Sequence, residues 1–123
     1  MNAIYLRSSV RQYTDEPVDI RDIEKLMRAA MAAPSAVNQQ PWEFYIARDE
    51  TTRLALAASS PYGTPAKLAP CVIVARQRTE GLRAPQDASY DMSASVENIL
   101  IEAANLGLSA VWLGIAPAKD RMA

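Results

Sequence analysis

Ala33-Pro34-Ser35-Ala36-Val37-Asn38-Gln39-Gln40-Pro41-Trp42 marks the point where the chain changes from helical to extended periodicity. Before it, Ile20, Ile23, Met27, Ala30 and Met31 recur at helical spacing, which predicts an amphipathic helix over 20–32. Asp19 is its candidate N-cap, and Asp22 lies in the first turn, where the helix dipole favours an acid. Pro34 stops the helix. After the loop, Trp42-Glu43-Phe44-Tyr45-Ile46-Ala47 is rich in aromatic and apolar residues and reads as a strand. Between the two, Ser35 to Pro41 offers the hydroxyl of Ser35 and the amides of Asn38, Gln39 and Gln40, with Trp42 beside them. Such a set can hydrogen-bond a planar polar heterocycle. It can equally be a capped helix-to-strand connection.

Working outward, residues 50–58 read as a short alanine-rich helix and Pro61-Tyr62-Gly63-Thr64-Pro65 as a break. Cys71-Val72-Ile73-Val74-Ala75 is a continuous apolar run, which predicts a strand buried on both faces, with Cys71 a structural thiol. Residues 76–87 are charged and contain Gly and Pro, as a surface loop does. From Ser89 to Leu106 the residues Met92, Val96, Ile99, Ala103 and Leu106 form one apolar stripe on a long helix, and Gly107 is placed to cap it. Small residues on this helix (Ser93, Ala94, Ala103, Ala104) would let another helix approach closely; the stripe can also simply fill its own core. Ser109 to Gly114 reads as a third strand.

Bulk composition narrows the chemistry. The chain has 123 residues, 50% hydrophobic and 22% charged, so a single folded domain is expected. A net charge of −1 gives no electrostatic case for nucleic acid or an anionic membrane surface. There is one cysteine and no histidine, which rules out an internal disulfide and argues against a Cys/His metal site. Ser-His-Asp and Cys-His catalysis lack their base. Difficult chemistry on this chain is therefore expected to come from a bound cofactor. No segment approaches the ~20 apolar residues of a membrane span, and Met1 to Arg11 lacks the apolar stretch of a secretory signal, so a cytoplasmic location is the default.

Three constellations can carry function. In Arg7-Ser8-Ser9-Val10-Arg11, a helical backbone would place Arg7 and Arg11 on one face, and two guanidiniums with two hydroxyls would cradle a phosphate. A solvated basic N-terminus is the plainer alternative. The loop 34–41 is the second. In the third, Gly107 to Gly114, Gly114 would permit close backbone approach to a ligand, or simply end a strand. Asp91, Glu97 and Glu102 are spread along the long helix with no spacing that suggests an acid–base pair; Asp91 reads as a dipole-facing acid near the helix start.

Taken in order, these segments resemble the nitroreductase family. The family's R-x-S-x-R opening is matched by Arg7, Ser9 and Arg11. Its A-P-S-x-x-N-x-Q-P-W helix end is matched by Ala33, Pro34, Ser35, Asn38, Gln40, Pro41 and Trp42. Asp91, Asn98 and Gly107-Leu108 follow its central helix, and Trp112-Leu113-Gly114 its closing triplet. The resemblance implies an α+β fold, with a central, mainly antiparallel sheet flanked by helices, in an intertwined homodimer whose interface includes the central helix. It implies FMN bound between subunits. Arg7, Ser8, Ser9 and Arg11 would hold the phosphate, ribityl chain and pyrimidine edge. Pro34, Ser35 and Asn38 would contact the flavin from the partner subunit, the backbone amide of Gly114 would point at flavin N5, and Gln40 and Leu113 would be cofactor-binding as well. No metal and no catalytic side chain are implied. The implied activity is ping-pong electron transfer from NADH or NADPH to a small acceptor such as a nitroaromatic or quinone. A flavin-binding or cofactor-free dimerisation module without turnover is the alternative. Family members run further past the closing triplet, with another strand, another phosphate-binding basic residue and a tail over the partner. The chain therefore reads as one nitroreductase-like domain, 1–123, lacking the usual C-terminal part.

Overall fold

The structure, a computed structural model, describes residues 2–115; residues 116–123 of the expected domain lie outside them. A short helix α1 (Ala3–Leu6) leads through an extended segment to α2 (Ile20–Met31). Strand β1 (Trp42–Ala47), helices α3 (Glu50–Ala57) and α4 (Thr64–Leu68), strand β2 (Val72–Gln77) and the long α5 (Ala88–Asn105) follow. The strands pair antiparallel, from Trp42 opposite Gln77 to Ala47 opposite Val72.

The predicted helix over 20–32 forms as α2, with the Asp19 carboxylate accepting from the Arg21 amide. Its buried face is Ile23, Leu26 and Ala30, while Ile20 and Met31 at its ends are exposed. The long helix forms almost as expected, and Gly107 follows it at φ +76°, the left-handed conformation in which glycine carries no Cβ penalty. Its buried face, however, runs through Ala88, Asp91, Ser95, Ile99 and Ala103, with Leu100 beside it. Met92 and Val96 are only half-buried.

The core forms where α2 crosses α5. Leu26, Ala30, Ile99 and Ala103 are its buried centre, with Phe44 and Ile73 of the strands packed against them. At the crossing, Ala30 and Ser95 are both fully buried, and the Ser95 hydroxyl donates to the Ala30 carbonyl at 2.9 Å. The Asn98 amide donates to the Ala29 carbonyl at 3.0 Å. These carbonyls belong to the last turn of α2, where the Ala32 and Ala33 N–H groups reach them only through tightened turns at 3.2 and 3.4 Å. Helix α5 thus caps α2, leaving the chain to turn sharply into the loop that follows.

Three expectations are corrected. The 71–75 run is a strand, but it is not buried on both faces: Val72, Ile73 and Val74 are half-buried and Ala75 is exposed. Helix α5 covers one face of the two-stranded sheet; on the other, Glu43 pairs with Arg76 at 3.6 Å and Tyr45 is exposed. The third strand over 109–114 does not form among the described residues. Its neighbour is the brief extended stretch at Ser9, and the two make only one parallel bridge, Ser9 to Ala110. The break at 61–65 ends in helix α4, because Pro65 sits at the first helical turn, where its missing N–H costs nothing.

Candidate cofactor site

The loop between α2 and β1 is strained and held. Val37, Asn38 and Gln40 have positive φ (46°, 52° and 48°). Asn tolerates this region, but for β-branched Val it is an outlier. Such conformations cost of order 1–3 kcal/mol each and persist only where the surroundings over-determine them. Here the surroundings do. Asp91, only 5% exposed, accepts the Ala36 N–H at 2.9 Å through one oxygen and the Gln39 amide at 2.7 Å through the other. Gln39 is also buried: its side chain donates to the Ala84 carbonyl at 2.9 Å and accepts the Ala84 N–H at 3.0 Å. The Ser35 hydroxyl accepts the Gln40 N–H at 3.0 Å. From the hairpin side, the Arg78 guanidinium donates to the Gln39 carbonyl at 2.9 Å and the Gln40 carbonyl at 3.0 Å. Pro41, fully buried, closes the loop.

What this leaves outward is specific. Asn38 is exposed, and its side-chain amide bonds to no described residue. Pro34 and Gln40 are exposed as well, and Ser35 is half-buried. The loop therefore presents a free amide from a backbone arch pinned at both feet.

The basic segment lies elsewhere on α5. Helix α1 ends at Leu6, and Arg7 already has extended backbone (φ −59°, ψ 130°), so the helical arrangement of Arg7 and Arg11 is corrected. In an extended chain the two residues are spread over about 13 Å. The Val10 N–H donates to the Ala110 carbonyl at 3.0 Å, and the Tyr13 hydroxyl donates to the Val10 carbonyl. Burial pushes the Tyr13 pKa up, partly opposed by Arg11. Arg7 reaches Glu97 of α5 at 3.5 Å. Arg7 and Ser8 border a cleft of about 230 Å³ whose floor is Leu100, Ala104 and Leu108. Ser9 and Arg11 are exposed beside it, and Arg11 makes no ion pair among the described residues.

Within one chain the structure does not unite these parts. The cleft lining includes Arg7 and Ser8 but not Pro34, Ser35, Asn38, Gln40, Leu113 or Gly114. Asp91, which holds the loop, and Leu100, in the cleft floor, are nine residues apart on α5, about 14 Å along its axis. Leu113 is half-buried and Gly114 exposed, both beyond the Ser9–Ala110 bridge. Sequence reasoning missed Gln39, Asp91 and Arg78 as loop-holding residues. The available signal was that Asp91, Ser95 and Asn98, spaced four and three apart, put a polar row on one helix face.

The described part is an α+β unit in which one long helix backs an antiparallel hairpin, a locked polar loop and a cleft bordered by Arg7. Known proteins share this fold. The model of the "Nitroreductase family" matches residues 4–68. An Archaeoglobus fulgidus protein named "Putative NADH dehydrogenase/NAD(P)H nitroreductase" is 39% identical over 123 residues, covering 99% of this chain and 71% of that protein. The crystal structure of a Clostridium acetobutylicum protein named "Putative NADH Oxidase" superposes with a TM-score of 0.95 at 45% identity, covering 97% of this chain and 72% of that one. A Desulfovibrio desulfuricans "putative nitroreductase in complex with fmn" superposes with a TM-score of 0.86 at 35% identity, covering 91% of this chain and 66% of that one. The chain belongs to the nitroreductase family, and with it to the oxidoreductases. The expected family and α+β fold are borne out. No helix among the described residues is long and apolar enough to cross a membrane.

Proposed function

We propose that this chain binds FMN between two copies of itself and transfers electrons from NADH or NADPH to a small acceptor, of the nitroaromatic or quinone kind, by alternating occupancy of one pocket. The observation that carries this reading is the loop 35–41, held in a costly conformation that frees the Asn38 amide. Strain kept by so many bonds is expected where a ligand must be met by a ready-made surface.

The donor set fits the cofactor. Arg7 at the cleft, Arg11 without an ion pair among the described residues, and the exposed hydroxyls of Ser8 and Ser9 suit a phosphate. The amides of Asn38 and Gln40 suit the polar edge of a heterocycle. When bound, FMN supplies the electron chemistry; the chain binds, orients and excludes water. No side-chain acid or base is required of it, in keeping with the absence of histidine. Leu113 and Gly114 belong to this reading as backbone contacts.

Two observations support a homodimer. The loop and the Arg7 cleft do not meet within one chain. Large apolar side chains of α1 stand in solvent: Ile4 59%, Tyr5 78% and Leu6 50% exposed, a contiguous patch of the sort that a partner covers.

The test is to add FMN to the purified chain, desalt it, and record the visible spectrum, then follow NAD(P)H oxidation with and without a nitroaromatic or quinone. Retained flavin with acceptor-dependent oxidation and parallel double-reciprocal plots is the expected result. Retained flavin without oxidation would make the chain a flavin-binding module, and no retained flavin would overturn the reading.

A further inference from the structure

Resting on the flavin reading of the 35–41 loop, we propose that Asp91, acting through Gln39, is the positioning residue that keeps this loop in its flavin-receiving shape. Asp91 touches the two residues that bracket the left-handed pair. Its oxygens accept from Ala36 on one side of Val37 and Asn38 and from Gln39 on the other, at 2.9 and 2.7 Å. The arch that presents Asn38 is thus fastened at both feet to one carboxylate. That carboxylate is itself fixed in the first turn of an 18-residue helix. Asp91 lies in the floor beneath the loop, 5% exposed, so its effect on a ligand passes through the loop.

The polarity of these bonds makes Asp91 irreplaceable by its own isostere. A carboxylate accepts only, and both partners here are donors. An asparagine at 91 offers one acceptor, so its NH2 must face either the Ala36 N–H or the Gln39 amide nitrogen. Flipping Gln39 relieves that clash and creates another, because its NH2 would then face the Ala84 N–H, which its oxygen now accepts at 3.0 Å. Every assignment leaves two buried donors opposed. In Asp91→Asn the bracket on Val37 and Asn38 opens while side-chain volume is unchanged. Exchanging the groups, Asp91→Asn with Gln39→Glu, lets the new amide donate to the new carboxylate. The Ala84 N–H keeps its acceptor, and the Ala84 carbonyl keeps the Asp87 N–H but faces a carboxylate oxygen where the Gln39 amide donated, so the rescue is partial.

The experiment titrates FMN into the full chain as wild type, Asp91→Asn, the double exchange and Ser95→Ala. It follows flavin fluorescence and thermal unfolding, and records the visible spectrum at saturating FMN. Ser95 bonds to Ala30 at the helix crossing and not to the loop, so its variant measures what lost stability alone does. Asp91→Asn is expected to bind FMN roughly tenfold or more weaker, with a shifted flavin spectrum at saturation. The double exchange should recover part of the affinity, and it carries the test if the single variant does not fold. Ser95→Ala should unfold earlier but keep wild-type affinity and spectrum. Wild-type affinity and spectrum in Asp91→Asn, a double exchange no better than the single variant, or an equal loss in Ser95→Ala would each overturn the positioning role and leave the flavin reading standing. A wild type that binds no FMN would overturn both.

Discussion

The Gln39 amide donates to Asp91 at 2.7 Å, joining positions 52 apart in sequence and tying the α2–β1 loop to the start of α5. Four and seven residues further along α5, Ser95 and Asn98 bond the last-turn carbonyls of α2. Ser95 and Asn98 thus tie the end of α2 to α5, while Asp91 of the same row holds the loop beyond it. The proposed function draws on the Asp91 end of this row, since the loop that Asp91 holds carries Asn38.

Removing Gln39 should be costly for stability. Gln39→Ala leaves the Ala84 N–H and one Asp91 oxygen buried without their partners. At about 1–3 kcal/mol per buried unsatisfied group, and with losses that do not simply add, a destabilisation of about 3 kcal/mol is expected. Ser95→Ala removes one neutral buried bond and little volume, and should cost about 1 kcal/mol. Urea midpoints of the two variants, read at unchanged slope, check the order. Gln39→Ala as mild as Ser95→Ala would show that water satisfies the loop.

Much of this was legible in the sequence and part was not, for physical reasons. Helix α2 follows from local periodicity, strand β1 from its aromatic and apolar composition, and the loop between them from Pro34 and Pro41. The run 109–114 has strand composition, but among the described residues its pairing is the isolated bridge of Ala110 to Ser9, so no strand is built there. Asp91 looked like any acid in a first turn, because its second role depends on a loop 52–55 residues away. Arg78 sat in what read as a charged surface loop, and only the hairpin register brings it to the Gln39 and Gln40 carbonyls.

Arg7→Ala should separate ligand binding from folding. Its pairing with Glu97 at 3.5 Å joins side chains 34% and 47% exposed, so loss of the pair should change stability by less than about 1 kcal/mol. A charged contact to a phosphate, in contrast, is worth about 1.5–3 kcal/mol, or roughly tenfold or more in affinity. FMN titrations of wild type and Arg7→Ala at low and high salt provide the check. The variant should bind more weakly and lose less on adding salt. Glu97→Gln, which frees the guanidinium, should bind no more weakly than wild type. Unchanged flavin affinity in Arg7→Ala would remove Arg7 from the phosphate site.

Gly63 is required for a different reason from the exposed glycines. Its φ of −79° suits any residue, but it is buried at the α3–α4 corner. A Cβ there would lie 1.9 Å from the Ala57 carbonyl oxygen and 2.7 Å from its carbon. Both atoms are backbone, so the corner itself must move. Gly63→Ala should therefore cost about 3 kcal/mol or more, at the upper end for overpacking. Gly81→Ala meets nothing within 4 Å and suffers only its φ of +72°, about 1–2 kcal/mol. Thermal melts of both variants test this ranking, which fails if Gly81→Ala is the more damaging.

The N-cap of α2 sets a pH dependence with a definite sign. The Asp19 side chain accepts from the Arg21 guanidinium and backbone amide, which lowers its pKa from 3.8 to about 2. A group whose folded pKa is depressed stabilises the fold above its unfolded value and loses that contribution as pH falls through the folded one. The Asp19 contribution is thus present above about pH 4 and is lost as pH falls from there through about 2. Asparagine caps a helix as well as aspartate but does not titrate. Asp19→Asn should therefore melt somewhat below wild type at pH 6, where the ion pair with Arg21 is lost, and the gap should narrow as pH falls below 4 and close only below about pH 2. Other carboxylates will lower both melting temperatures in acid, so the informative quantity is the difference between the two proteins at each pH. A gap that persists unchanged into acid would mean that Asp19 acts on α2 through its shape alone.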